Sequence, residues 1–231
     1  MKVLMLSSSR KGSEEYLEHA RPFITEHIRD ITDVLFIPYA GVTIGWDEYT
    51  QKVQMALPHL NIKGIHEFTD PIKAVQNANV IFVGGGNTFN LLHQLYRHKL
   101  TTEIQNQIKL GIPFVGWSAG SNICGASIRT TNDMPIVQPI SFNALNLVPF
   151  QINPHYTDYQ PPGYNGESRA QRIQEFCELN PNIPVIGIRE GGALLLQDTS
   201  LVLVGELDGV IFKGKSQITI KPKQPLDGYL C

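Results

Sequence analysis

The sequence has little of what marks secreted, membrane-spanning or nucleic-acid-binding proteins. Its 231 residues include 3 cysteines, and no CxxC spacing occurs, so neither a disulfide framework nor a zinc knuckle is indicated and we expect free thiols at Cys124, Cys177 and Cys231. No apolar run approaches the ~20 residues of a membrane span, and no basic leader precedes the first apolar run, so we expect a cytoplasmic protein. The formal net charge of -2 lacks the basic excess that binding nucleic acid requires.

What is present is an alternation of short apolar runs with amphipathic segments. Strand-like runs occur at 3–6, 34–37, 62–68, 80–83, 113–117 and 184–188, and helix-like segments lie between several of them. After residue 193 the pattern changes to closely spaced runs at 194–196, 201–204 and 210–212. We therefore predict one α/β domain over 1–231: a doubly wound, mostly parallel sheet with helices on both faces and an antiparallel C-terminal edge.

The sharpest local signal is Gly-Trp-Ser-Ala-Gly at 116–120, where an apolar run meets a predicted helix. The order of strand, G-x-S-x-G and helix is typical of a nucleophile elbow, because the strained turn needs small residues on both sides of the serine. Short Gly/Ser strings also form ordinary turns, but this order favours Ser118 as a nucleophile. The N–H of Ala119 would then point toward the oxyanion formed at the attacked carbonyl.

A second glycine cluster, Gly84-Gly85-Gly86, follows the run at 80–83. It lacks the G-x-G-x-x-G spacing of a dinucleotide loop and the lysine of a P-loop, so phosphate binding has little support. Glycines allow close approach of the backbone, and we expect Gly85 and Gly86 to supply N–H groups to an oxyanion hole beside Ser118. A tight strand-to-helix turn would contain the same glycines without that role.

A catalytic serine needs a base, and His155 is the predicted one. It lies in Asn-Pro-His-Tyr at 153–156, inside the long loop region at 130–166 that follows the elbow. A loop can aim an imidazole at a point in space. The other histidines lie on predicted helices or beside a strand, where packing or solvent exposure is the ordinary role: His19, His27, His59, His66, His93 and His98.

The base needs an acidic partner that fixes its tautomer. Three acids are candidates, and we rank Glu190 before Asp133 and Asp158 because it ends the run at 184–188, which we place at the carboxyl rim of the same sheet as Ser118. The resulting order of serine, histidine and acid differs from that of α/β-hydrolases, which argues against an ordinary lipase or esterase.

Longer strings of the sequence resemble peptidase E, the α-aspartyl dipeptidase family, whose fold is similar to that of class I glutamine amidotransferases. The matching strings are VGGGNTF at 83–89, the elbow at 116–120, IRTTNDMPIVQP at 128–139, LVPFQINPHY at 147–156 and GESRAQRIQEF at 166–176. The resemblance implies a serine-type dipeptidase that removes N-terminal aspartate, with Ser118, His155 and Glu190 as the catalytic residues and Asp133 as a further active-site acid. It implies no cofactor, no metal and no obligate protein partner.

An aspartate substrate also calls for a cation, because a guanidinium meets a carboxylate through two parallel hydrogen bonds. Arg169 and Arg172 are the candidates, and we favour Arg169. Two alternatives stay open at this point: a cyanophycinase-like hydrolase of larger acidic peptides, and a binding module that has kept the fold and lost the chemistry. A glutaminase is disfavoured because the elbow carries serine, and Cys124 lies six residues past it.

Overall fold

The computed structural model describes residues 1–230 and contains two sheets. The predicted free thiol at Cys231 lies outside the described residues. The larger sheet has the strand order β3-β2-β4-β5-β1-β8-β9. Its strands are β1 (Lys2–Leu6), β2 (Asp33–Ile37), β3 (Asn61–Gly64), β4 (Ile81–Val83), β5 (Phe114–Trp117), β8 (Ala193–Gln197) and β9 (Ser200–Val204). The first five are parallel, whereas β8 and β9 add to β1 in antiparallel fashion. The predicted mostly parallel sheet with an antiparallel edge is confirmed.

Helices cover both faces of this sheet. They are α1 (Arg21–Ile28), α2 (Trp46–Ala56), α3 (Pro71–Gln76), α4 (Thr88–Arg97), α5 (Thr101–Lys109) and α6 (Ala119–Asn122). The helix α7 (Arg169–Leu179) packs against the smaller sheet instead. Alternate residues of β5 enter different cores: Phe114 packs with α4 and α5, and Val115 packs with α1 and α2. Because both faces of the strand are buried, its sequence is continuously apolar. Within residues 1–230, no helix is both long and apolar enough to cross a membrane.

The smaller sheet was not predicted. It has the order β11-β10-β7-β6 and is formed by β6 (Gln151–Asn153), β7 (Val185–Gly187), β10 (Gly209–Lys213) and β11 (Ser216–Ile220). The prediction that the runs at 184–188 and 210–212 join the main sheet is wrong. The free edge of β1 is taken by β8, so β7 pairs instead with β6 and β10.

One side chain joins the two sheets at the end of β1. Ser7 is fully buried, and its backbone N–H donates to the carbonyl of Gly192 (2.9 Å). Its hydroxyl donates to the carbonyl of Ile188 at the end of β7 (2.7 Å). The carboxyl ends of β1 and β7 are therefore held together, although the strands belong to different sheets.

Candidate active site

The nucleophile elbow has the backbone that the sequence predicts. Ser118 follows β5 at φ 53° and ψ -111°, a conformation that residues with a side chain adopt rarely. A Cβ on Gly116 would lie 2.4 Å from the carbonyl oxygen of Gly120, and one on Gly120 would lie 2.2 Å from that of Val83. Both flanking glycines are therefore required by the close approach of backbone to backbone. The helix after the elbow is a single turn, α6.

His155 reaches the serine from the turn after β6. Its own φ is 54°, and its N–H donates to the Ser7 hydroxyl (2.9 Å). Its Nε2 lies 2.9 Å from Oγ of Ser118. Ser7 therefore holds the backbone of the histidine at the joint between the sheets, and the imidazole lies within hydrogen-bond reach of the elbow.

Glu190 completes a chain of hydrogen bonds. Its Oε1 lies 2.8 Å from Nδ1 of His155. A carboxylate can only accept, so the proton of the neutral imidazole sits on Nδ1, and Nε2 is left to accept from the hydroxyl of Ser118. Glu190 lies past β7, so our placement of this acid on the same sheet as Ser118 is wrong. The Ser7 bridge brings it to the site instead.

The other two candidate acids form their hydrogen bonds with residues other than His155. Asp133 accepts from the backbone N–H (2.7 Å) and hydroxyl (2.6 Å) of Thr88, so it caps the start of α4. Asp158 accepts from the hydroxyl of Tyr156 (2.8 Å) and pairs with Arg189. These two hydrogen bonds keep the pKa of Asp158 below its usual range. The Asp158–Arg189 pair ties the chain after His155 to the residue before Glu190.

Three backbone N–H groups of the glycine loop (84–86) and the elbow have no backbone partner within residues 1–230. No carbonyl of the described residues accepts the N–H of Gly85, Gly86 or Ala119. A Cβ on Gly85 would lie 2.9 Å from Cβ of Ser118, so only glycine permits this approach. Gly86 has φ 136°, a conformation that strongly favours glycine. Free N–H groups on a loop that packs against Ser118 agree with the expected oxyanion hole, and that role stays a prediction.

Buried aromatic side chains hold the glycine loop, residues 84–86, in place. The hydroxyl of Tyr49 donates to the carbonyl oxygen of Gly85 (2.9 Å). Nε1 of Trp117 donates to the hydroxyls of Tyr16 (3.0 Å) and Tyr49 (3.2 Å). Burial raises the pKa of both tyrosines, so both hydroxyls stay protonated and Tyr49 remains a donor. The orientation of the Gly85–Gly86 peptide is thereby fixed by α2.

The two candidate arginines differ in environment. Ser168 caps α7 and receives the N–H of Gln171 (3.1 Å), so the helix begins at Arg169. The guanidinium of Arg169 is half-buried, and its Nη1 is buried with no partner among the described residues. Arg172 is exposed, and its Nε lies 3.8 Å from Oε2 of Glu167.

The pKa of Arg169 depends on burial and on the charged groups around it. Burial lowers this pKa, the charge of Arg172 lowers it further, and the carboxylate of Asp133 opposes both effects. Arg169 therefore shares its surroundings with Asp133, whereas Arg172 lies on the solvated face of α7. This difference agrees with our preference for Arg169 as the substrate cation, which stays a prediction.

Comparison with known proteins decides the family. The model of peptidase family S51 matches residues 3–204. A Shewanella amazonensis protein named peptidase E is 56% identical over 222 residues, which is 94% of this chain and 93% of that protein. A Shewanella denitrificans protein of the same name is 54% identical over 231 residues, 99% and 98% of the two chains. This chain belongs to peptidase family S51. The resemblance to peptidase E that the sequence indicated is confirmed.

Solved structures support the fold of this S51 peptidase. A crystal structure of a candidate peptidase E protein from Listeria monocytogenes has a TM-score of 0.67 at 23% identity, covering 88% of this chain and 98% of that one. A peptidase from an acI-B1 actinobacterium has a TM-score of 0.72 at 18% identity, covering 97% and 96%. At these identities the likeness shows the fold alone, and the predicted fold class is confirmed.

Sequence reasoning missed the residues that hold the site of this S51 peptidase in place. Ser7 follows the first strand and is one of three consecutive serines at 7–9. Tyr49 lies on an amphipathic helix, where an aromatic residue ordinarily packs in the core. Neither has a local motif. The position of Ser7 directly after a parallel strand, at the sheet edge where α/β sites form, is the one signal that could have indicated it.

Proposed function

We propose that this S51 peptidase is a serine-type dipeptidase that hydrolyses dipeptides with N-terminal aspartate through an acyl-enzyme on Ser118. The observation that carries the proposal is the continuous chain from Oγ of Ser118 through His155 to Glu190, with hydrogen bonds of 2.9 and 2.8 Å. Such a chain activates a hydroxyl that is otherwise a weak nucleophile.

Acylation follows from this geometry. Oγ of Ser118 attacks the peptide carbonyl while its proton moves to Nε2 of His155, and the imidazolium is stabilised by Glu190. The negative oxygen of the tetrahedral intermediate accepts hydrogen bonds from the N–H groups of the glycine loop and the elbow. His155 then gives its proton to the departing amine as the C–N bond breaks.

Deacylation uses the same groups with water as the nucleophile. His155 takes a proton from the water, the new C–O bond forms, and the ester bond to Ser118 breaks as the proton returns to Oγ. The imidazole and Glu190 are 39% and 53% exposed, so water reaches the base directly. Aspartate is released and the serine hydroxyl is restored.

Selectivity for aspartate is assigned to Arg169. Its half-buried guanidinium has an unsatisfied Nη1, which a substrate carboxylate would satisfy with charge-assisted hydrogen bonds. An uncharged asparagine would leave that cation without its counter-charge, so asparagine should be rejected. Asp133 uses Oδ2 for Thr88 and Thr131, and we assign its other oxygen to the α-ammonium group of the substrate.

The test is hydrolysis of Asp-Leu, Asn-Leu and Glu-Leu by the purified protein. We expect cleavage of Asp-Leu and at least a 100-fold lower kcat/KM for Asn-Leu, because a buried cation would lose its counter-charge. Arg169→Ala should lower kcat/KM for Asp-Leu by about 100-fold, whereas Arg172→Ala, the matched control one turn along α7, should change it less than about threefold.

Two results would overturn the proposal. No cleavage of any of the three dipeptides would refute dipeptidase activity of this kind. Equal, small losses in the Arg169→Ala and Arg172→Ala variants would refute the assigned aspartate pocket while leaving the peptidase chemistry standing.

A further inference from the structure

A cleft of about 630 Å³ is lined by Ser118 and by residues of α2, Tyr49 and Lys52. His155 and the glycines Gly85 and Gly86 also line it. Apolar side chains form a wall: Val42, Ile44 and Ile136. Arg169 does not line this cleft, so the groups assigned to the aspartate lie outside it. The cleft is therefore available for the leaving group.

Lys52 is the one permanently charged side chain among the described residues that line the cleft. It lies on α2, three residues after Tyr49, and its Nζ is 4.5 Å from the centre of the Tyr16 ring. Residues three apart share a helix face, so Lys52 projects on the same side as the tyrosine that holds Gly85. The ammonium group thus lies beside the structure that supports the oxyanion loop.

Two further cations near the site, other than Arg169, are already paired. Lys11 pairs with Glu206 at 2.6 Å, and Arg189 pairs with Asp158. No aspartate or glutamate of residues 1–230 lies within ion-pair distance of Lys52, and no acidic residue lines the cleft. An anionic group entering this cleft would therefore find one cation and no competing carboxylate.

The length of a dipeptide fits this arrangement. One extended residue spans about 3.5 Å, so the terminal carboxylate of a dipeptide follows closely after the scissile bond. With that bond at Ser118, we place the carboxylate inside the cleft that Ser118 and Lys52 both line. A longer peptide would place an uncharged backbone amide at the same point.

We propose that Lys52 binds the C-terminal carboxylate of the dipeptide and so selects dipeptides over longer chains, with the side chain of the second residue against Val42, Ile44 and Ile136. This inference rests on the proposed function, because it needs Ser118 to attack the bond after an N-terminal aspartate. It adds a second charge-recognition point on the leaving-group side.

The test compares Asp-Leu with Asp-leucinamide, which lacks only the terminal negative charge. For the wild-type protein we expect a KM about 10-fold lower for Asp-Leu than for Asp-leucinamide. A charge-assisted hydrogen bond at a partly exposed site strengthens binding by about this factor. Lys52→Met should raise the KM for Asp-Leu about 10-fold and leave that for Asp-leucinamide within about twofold. Lys52→Arg should keep most of the discrimination, and Lys109→Met, on the exposed end of α5, should change neither value.

The outcomes separate this inference from the proposed function. If the wild type cleaves Asp-Leu but treats the amide equally well, or if Lys52→Met impairs both substrates alike, the role of Lys52 is refuted while the dipeptidase stands. If the wild type cleaves neither substrate, the proposed function fails and the leaving-group site fails with it. Retained cleavage of the amide by Lys52→Met shows that the variant is folded.

Discussion

The hydrogen bond from Tyr49 to the Gly85–Gly86 loop gives a prediction that distinguishes a role in positioning the proposed oxyanion hole from a role in stability. The Tyr49 hydroxyl donates to the carbonyl of Gly85 at 2.9 Å. The N–H of Gly86 belongs to the same planar trans peptide group and points the opposite way. Tyr49→Phe removes the hydroxyl and leaves a peptide between two glycines, which is the most permissive backbone available.

The magnitude follows from the strength of one hydrogen bond. A net contribution of about 0.5–1.5 kcal/mol to the orientation of the peptide corresponds to a ~2- to 13-fold fall in kcat. This is well below the ~100- to 1,000-fold loss expected when an oxyanion donor is deleted. The carbonyl of Gly85 is left without its partner, so the free energy of unfolding should also fall by about 1–3 kcal/mol.

The assay is kcat and KM for Asp-Leu together with thermal unfolding. Tyr16→Phe is the matched control, because it removes a hydroxyl from the same network and leaves the bond from Tyr49 to Gly85 intact. We expect a lower kcat with unchanged KM for Tyr49→Phe, and a loss of stability without a kcat effect for Tyr16→Phe. Equal kcat losses in both variants, or none in Tyr49→Phe, would refute the positioning role.

Three further predictions concern the other supports of the structure. Glu190→Gln should lower kcat about 100-fold with little change in KM, since a neutral amide no longer stabilises the imidazolium of His155, and an unchanged kcat would exclude Glu190 as the third member. Ser7→Ala should lower kcat about 10-fold at constant KM, because the bridge from His155 to Ile188 is lost; a fall in melting temperature alone would make Ser7 purely structural. Burial lowers the pKa of His27 from 6.5 to about 4, so the unfolded chain takes up the proton first and the stability present above pH 6.5 is lost toward pH 4. Denaturant unfolding over this range should show a steeper loss for the wild type than for His27→Gln, and parallel curves would contradict this.

The main sheet could be predicted because its strands have a strong local pattern. Strands such as β5 are buried on both faces and followed by helices, so their apolar runs stand out. The second sheet could not be predicted in the same way. The runs of β7 and β10 stand out as strands, but no local pattern shows that they pair with each other instead of with the main sheet, and β11 is mostly exposed. Helix α5 was missed because it follows α4 after a turn of only three residues.

The reacting groups of the site were easier to predict than their supports. Ser118 lies between glycines that a strained turn requires, and His155 lies in a loop string of unusual composition, so both have local signals. The bridge through Ser7 and the hydroxyl of Tyr49 join residues far apart in the chain, and no local pattern encodes such contacts. The spacing of Arg169 and Arg172 likewise does not show which of them is buried, because burial is decided by the surrounding loops.

The most direct measurement is the rate of Asp-Leu hydrolysis by Ser118→Ala relative to the wild type, with thermal unfolding as the control for folding. We predict a fall of at least ~10⁴-fold, because without Oγ no acyl-enzyme can form and the imidazole has no hydroxyl to deprotonate. A folded Ser118→Ala protein that retains a rate within about tenfold of the wild type would contradict it.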